Sequence, residues 1–136
     1  MTGAFGMSRR ILIVDDNQLT REIIRELVTK HRYLTGEAKD GNDAIECVKQ
    51  GGIDGIILDL MMPDRDGLEV LVWLKSEHPG MPVVVITNAG EGHDVSYPEI
   101  AERFGAIKAF HKPVTKNIVD EAVAMLEAAW DDTKDT

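Results

Sequence analysis

Residues 55–63 read Gly55-Ile56-Ile57-Leu58-Asp59-Leu60-Met61-Met62-Pro63, an apolar run interrupted by a single acid. A strand with one wet face alternates apolar and polar residues; a strand covered on both faces is apolar throughout. The run therefore predicts an interior strand that stops at Asp59. Ile11-Leu12-Ile13-Val14 has the same character and ends in Asp15-Asp16, and Val83-Val84-Val85-Ile86 ends in Thr87. A fourth segment, Ala106 to His111, stops at Lys112-Pro113, and Leu34–Ala38 is a weaker strand. In a parallel sheet such ends share one edge, and open α/β sheets place their sites there. Three carboxylates, a hydroxyl and an ammonium are thus predicted to meet.

The stretches between these runs have helical spacing. Leu19, Ile23 and Leu27, with charges between them, predict an amphipathic helix over about Gln18–Lys30. After the Asp40-Gly41 turn signal, Ala44, Ile45 and Val48 mark a second helix, closed by Gly51-Gly52. The central strand is read as Ile53–Leu58. Asp64, Asp66 and Gly67 shape a loop and start a third helix through Leu68, Leu71, Val72 and Lys75. Asn88–Val95 holds two glycines and reads as a flexible loop. Pro98–Phe104 is a short helix before Gly105. Thr115 is the N-cap of a last helix, in which Ile118, Ala122, Met125 and Ala129 lead to about Trp130. Five strands alternate with five helices, the pattern of a parallel α/β sheet with right-handed crossovers.

The 136 residues suit one domain with a sizeable core. Residues 1–8 read as a loose tail without the features of a secretory signal, 9–130 as the domain, and 131–136 as an acidic tail. No apolar stretch approaches the roughly 20 residues a membrane helix needs, so no membrane insertion is expected. The net charge of −9 argues against direct nucleic-acid binding, which needs clustered Lys and Arg. Cys47 is the only cysteine, which excludes an intrachain disulfide and fits a reducing cytoplasm. It reads as a small buried or half-buried residue in a helix.

Each polar feature alone is ordinary. Adjacent acids often cap a helix, Thr87 could merely end a strand, and Lys112 could lie on the surface. His93 and His111 read as solvated or structural, and Trp73 and Trp130 as packing or partner-facing aromatics. Met61 and Met62 read as core filler. Together the acids, hydroxyl and lysine suit a hard dication, bound through oxygen, and a phosphoryl group transferred to a carboxylate.

In their order and content, Ile-Leu-Ile-Val-Asp15-Asp16-Asn17, Leu-Asp59-Leu-Met-Met-Pro63-Asp64-x-Asp66-Gly67, Ile86-Thr87 and Lys112-Pro113 resemble the receiver domain of response regulators in two-component signalling. The likeness runs from Arg10 to about Trp130 and is to the single-domain, chemotaxis-regulator-like type. It implies a flavodoxin-like, doubly wound five-stranded parallel sheet of order 2-1-3-4-5, flanked by five helices. It implies that Asp59 accepts a phosphoryl group from a phosphohistidine. Mg2+ or another divalent cation would be held by Asp16 and Asp59, by Asp15 through water, and by the Met61 backbone carbonyl. Thr87 and Lys112 resemble the switch hydroxyl and the phosphate-binding lysine, and Pro113 the proline that follows a cis bond. The implied partners are a sensor histidine kinase or histidine phosphotransfer protein and a downstream protein target that the residues do not name. A phosphorylation-dependent homodimer stays open. Such a protein is a switch rather than an enzyme: it catalyses only its own phosphorylation and dephosphorylation. No DNA-binding output domain is expected after the last helix. Lys116, Val119, Val123 and Trp130 are read as a contact face.

Three features depart from that pattern. Ala109 stands where many receivers carry an aromatic switch residue, and Phe110 has the wrong strand parity to replace it. The segment from Thr87 to Lys112 is longer than usual, which favours signalling through the 88–95 loop. Asn88 stands where small residues are common. Two other classes fit the residues less well. An aspartyl phosphatase would need an Asp-x-Asp motif, whereas Leu60-Met61 follow Asp59. A flavin binder would want a glycine- and hydroxyl-rich loop after the first strand, not two acids.

Overall fold

Three apolar runs lie side by side as the interior of one parallel sheet. The computed structural model describes residues 9–62, 66–88 and 97–134. Its elements are β1 (Arg10–Val14), α1 (Gln18–Thr29), β2 (Leu34–Ala38), α2 (Gly41–Gln50), β3 (Gly55–Leu58), α3 (Gly67–Glu77), β4 (Val83–Thr87), α4 (Tyr97–Arg103), β5 (Lys108–His111) and α5 (Lys116–Lys134). The strands pair in parallel in the expected order β2-β1-β3-β4-β5. Register sets Val14 beside Ala38 and Leu58, and Thr87 beside His111. Residues 1–8, Pro63, Asp64, His93 and the 88–95 loop beyond Asn88 lie outside the described residues.

The three interior strands β1, β3 and β4 are almost wholly apolar because each serves two cores. Leu12, Val14, Ile56, Leu58, Val83 and Val85 pack against α2, α3 and α4 through Val48, Val70, Leu74 and Ala101. Ile11, Ile13, Ile57, Val84 and Ile86 pack on the other face against Ile24 and Val28 of α1 and Val119, Val123 and Leu126 of α5. Full burial of a Leu or Ile side chain contributes roughly 1.5–3 kcal/mol, so a polar residue at any of these positions breaks a core. Cys47 is half-buried and packs against the first core, and burial raises its thiol pKa. No helix of the described residues is long and apolar enough to cross a membrane.

Four expected boundaries or faces move. β3 starts at Gly55, not Ile53, because Asp54 is tied to Arg10 by two bonds of 2.8 Å, one from its backbone N–H and one to its carboxylate. β5 starts at Lys108, not Ala106, because Ala106 N–H closes α4 by donating to the Ala101 carbonyl. α5 continues past Trp130 to Lys134, since no Gly or Pro follows to stop it. The contact face read on α5 is corrected more deeply. Val119, Val123 and Trp130 are buried, and of that set only Lys116 is exposed. Trp130 donates its Nε1–H to the Asp54 carbonyl at 2.8 Å and stacks edgewise on Tyr33, with the Arg9 guanidinium over its ring.

Candidate functional site

The polar strand ends extend the ladder by one residue each. Asp59 N–H donates to the Val14 carbonyl at 2.9 Å, Asp15 N–H to Ala38 at 3.1 Å, and Lys112 N–H to Thr87 at 3.1 Å. Side chains from β1, β3, β4 and β5 therefore converge at one edge. Asp15 and Asp59 are only 1% and 4% exposed, and Thr87 is buried. The Thr87 hydroxyl donates to Asp59 Oδ1 at 2.7 Å, and Met61 N–H to the same oxygen at 3.2 Å. Lys112 Nζ donates to Asp15 Oδ2 at 2.8 Å and to Asp59 Oδ2 at 3.3 Å. Asn17 N–H holds Asp15 Oδ1 at 2.9 Å.

Burial raises the Asp59 carboxyl above its usual range, and the Asp15 charge adds to this. The Thr87 hydrogen bond, Lys112 and the Met61 N–H pull the other way without reversing it. Burial alone would lower the Lys112 ammonium; its bond to Asp15 and the charges of Asp59 and Asp15 outweigh that and raise it. Lys112 thus bonds two of these carboxylates, and Asp16 completes a cluster in which one oxygen from each of the three acids lies within 4.8 Å of the others. Two buried carboxylates and an exposed third, undercompensated and all hard oxygen donors, fit a small dication. Met61 is exposed and lines a cleft of about 350 Å3 with Asp16, Leu60, Met62 and Asp66.

The remaining expected residues fall around this cluster. The Lys112-Pro113 bond is cis. Asn88 is exposed and lines a groove of about 450 Å3 with Thr20, Ile23, Lys112, Pro113 and Val114. Ala109 is buried in the first core, whereas Phe110 packs into the second, as strand parity requires. Ala109 N–H donates to Glu102 Oε2 of α4 at 3.0 Å. His111 is exposed. Asp66 caps α3 by accepting from Leu68 N–H at 2.8 Å.

Gly67 is required by close approach rather than by turn geometry. A Cβ there would lie 2.5 Å from the Asp59 carbonyl oxygen and from Leu60 Cα, both rigid backbone. Gly67→Ala is expected to cost about 1–3 kcal/mol by overpacking and to displace the Asp59 segment. Urea denaturation and the Asp59 amide resonance measure this; a wild-type midpoint with an unshifted resonance would contradict it. The sequence reading also passed over Arg21 and Glu37. Arg21 Nη1 donates to the Asp15 carbonyl at 2.8 Å and its Nε to Glu37 at 3.1 Å. The available signal was an arginine one turn past the helix cap, opposite an acid at the end of the next strand.

Comparisons with known proteins point to one family. The sequence pattern of the response regulator receiver domain matches residues 11–124. The chemotaxis protein CheY of Halobacterium salinarum is 28% identical over 118 residues, which span 86% of this chain and 98% of that protein. A protein-glutamate methylesterase/protein-glutamine glutaminase of Myxococcus xanthus is 37% identical over 106 residues, covering 76% of this chain. The chain spans only 30% of that larger protein's length. The crystal structure of response regulator TrrA of Thermotoga maritima, in complex with Mg2+-BeF, superposes with a TM-score of 0.75 at 25% identity. That likeness covers 87% of this chain and 98% of TrrA.

Proposed function

The chain belongs to the response regulator receiver domain family, and from that premise we propose that it is a phosphoryl-accepting switch in which Asp59 takes the group from a phosphohistidine. The observation that carries this reading is the setting of the Asp59 carboxylate. It is buried, with one oxygen on Thr87 and the other facing Lys112, beside two further acids. In the step, an Asp59 oxygen forms the new bond to phosphorus while the phosphorus–nitrogen bond breaks. The electron pair of that bond returns to the imidazole. The Thr87 hydroxyl and the Lys112 ammonium, which hold Asp59 in the resting state, would turn to the phosphoryl oxygens.

Asp15, Asp16, Asp59 and the Met61 carbonyl would hold Mg2+. When bound, that ion supplies the positive charge that lets a carboxylate approach an anionic phosphoryl group. The groove beside Asn88, Lys112 and Val114, lined also by the exposed apolar Ile23, suits an incoming histidine-bearing helix. The donor class is a sensor kinase or phosphotransfer protein, in a cytoplasmic setting. Output passes through changed protein contacts. Phe104 and Ile107 are exposed apolar residues between α4 and β5 and are candidates for that contact.

Ala109 carries no ring to turn, so we assign signal transmission to the 88–95 loop and to α4, which Glu102 clasps to β5. Hydrogen exchange over residues 88–103 is expected to slow on phosphorylation; equal exchange in both states would sink this assignment. The reading as a whole is tested by intact mass after incubation with acetyl phosphate. One phosphoryl adduct that requires Mg2+ is expected. No adduct from acetyl phosphate or from a phosphorylated histidine phosphotransfer domain would defeat it.

A further inference from the structure

Arg21 stands half-buried on α1 with its guanidinium spread between two acceptors, the Asp15 backbone carbonyl at 2.8 Å and Glu37 Oε1 at 3.1 Å. Glu37 Oε2 accepts from Arg25 Nη1 at 2.9 Å, so the acid is held from a second side. Asp15 N–H donates to the Ala38 carbonyl at 3.1 Å. Both backbone groups of Asp15 are therefore committed, one to the sheet and one to a cation.

That carbonyl belongs to the peptide that joins Asp15 to Asp16. A peptide unit is planar, so fixing its oxygen fixes the direction in which the chain leaves toward Asp16. The Asp15 carboxylate is separately anchored by Lys112 and by Asn17 N–H. The Asp16 carboxylate is exposed and still lies within 4.8 Å of two like charges. Repulsion opposes that closeness, so the chain carrying Asp16 must be held from elsewhere. We propose that Arg21, oriented by Glu37, is a positioning residue for the dication site, holding the Asp15–Asp16 peptide so that Asp16 stays in the cluster. This rests on the reading of Asp15, Asp16 and Asp59 as the magnesium site.

The sign of the effect separates positioning from simple charge. Arg21 is a cation close to a cation site. If it acted only through its field, removing it would tighten Mg2+ binding. If it positions Asp16, removing it weakens binding. Lysine keeps the charge but lacks the planar fork that spans both acceptors.

The test is calorimetric titration of Mg2+ into the full chain for wild type, Arg21→Ala, Arg21→Lys and Glu37→Gln, with folding checked by circular dichroism. Supporting groups behind metal ligands typically change affinity 10- to 100-fold. A rise of about tenfold in dissociation constant is expected for Arg21→Ala, with smaller rises for the other two. Phosphoryl uptake from acetyl phosphate should then need more Mg2+ to reach half-maximal rate, with a smaller change in the plateau. Folded Arg21→Ala that binds Mg2+ as tightly as wild type, or more tightly, overturns the proposal. Should that variant fail to fold, wild-type affinity in both Arg21→Lys and Glu37→Gln overturns it. Wild type that binds no Mg2+ defeats the magnesium reading itself, and the proposal falls with it.

Discussion

Asp59→Asn is expected to take no phosphoryl group from acetyl phosphate, yet to be more stable than wild type without Mg2+. The first effect follows from chemistry: an amide oxygen is a poor nucleophile and cannot yield an acyl phosphate by this route. The second follows from burial. Wild type folds an almost fully enclosed carboxylate next to Asp15 and Asp16 and shares the Lys112 ammonium with Asp15. Asparagine keeps an oxygen for Thr87 and Met61 N–H and removes the charge. Lys112 retains Asp15. A gain of about 0.5–2 kcal/mol is the scale for relieving such a site. The pH dependence gives a sharper check. The folded pKa of Asp59 is raised, so between the ordinary carboxylate value and that raised value the folded state binds more protons than the unfolded. Wild-type stability therefore falls as pH rises through this window, and the advantage of the variant opens there. Urea denaturation at acidic and neutral pH measures it. A gap of equal size at both pH values would mean that the asparagine acts by packing. An Mg2+-dependent adduct on the variant would remove Asp59 from its role.

The sheet was legible because a strand buried on both faces has no polar alternation to confuse it. Ile11–Val14, Ile56–Leu58 and Val83–Ile86 could only be interior strands, and their ends had to meet. The strand ends were less legible where a side chain takes over a ladder bond, as Asp54 does for Arg10, or where a helix cap consumes residues, as Ala106 does. The α5 face failed for a different reason. Periodicity finds a helix from its stripe but does not say which neighbour covers it. Val119, Val123 and Trp130 read equally well as a partner surface until α1 and β4 are placed against them. The acids, Thr87 and Lys112 were legible through residue type and order. Arg21 was not, because its role runs through a backbone carbonyl that sequence does not display.

Lys112→Met is expected to destabilise the metal-free protein by about 3 kcal/mol, the low end for breaking a buried ion pair because the lysine side chain is 15% exposed. The cost arises from what remains. Asp15 and Asp59 lose their shared ammonium while staying buried, and the methionine stem preserves most of the packing. Loss of Lys112 also removes one of the influences that lower the Asp59 carboxyl, so its folded pKa rises further. The folded variant then keeps its proton to higher pH, and its stability falls more steeply than wild type as pH rises through that range. Acidification should therefore shrink the deficit. Millimolar Mg2+ should shrink it too, since a dication supplies the missing charge to the same oxygens. Asp59→Asn on the Lys112→Met background should recover more stability than it adds to wild type, because the two residues share an interaction and their effects cannot add. Urea denaturation of the four proteins at two pH values, with and without Mg2+, contains all three comparisons. A deficit independent of pH, Mg2+ and Asp59 would assign Lys112 to packing of its apolar stem. It would also leave the acid cluster without the counter-charge on which the resting geometry depends.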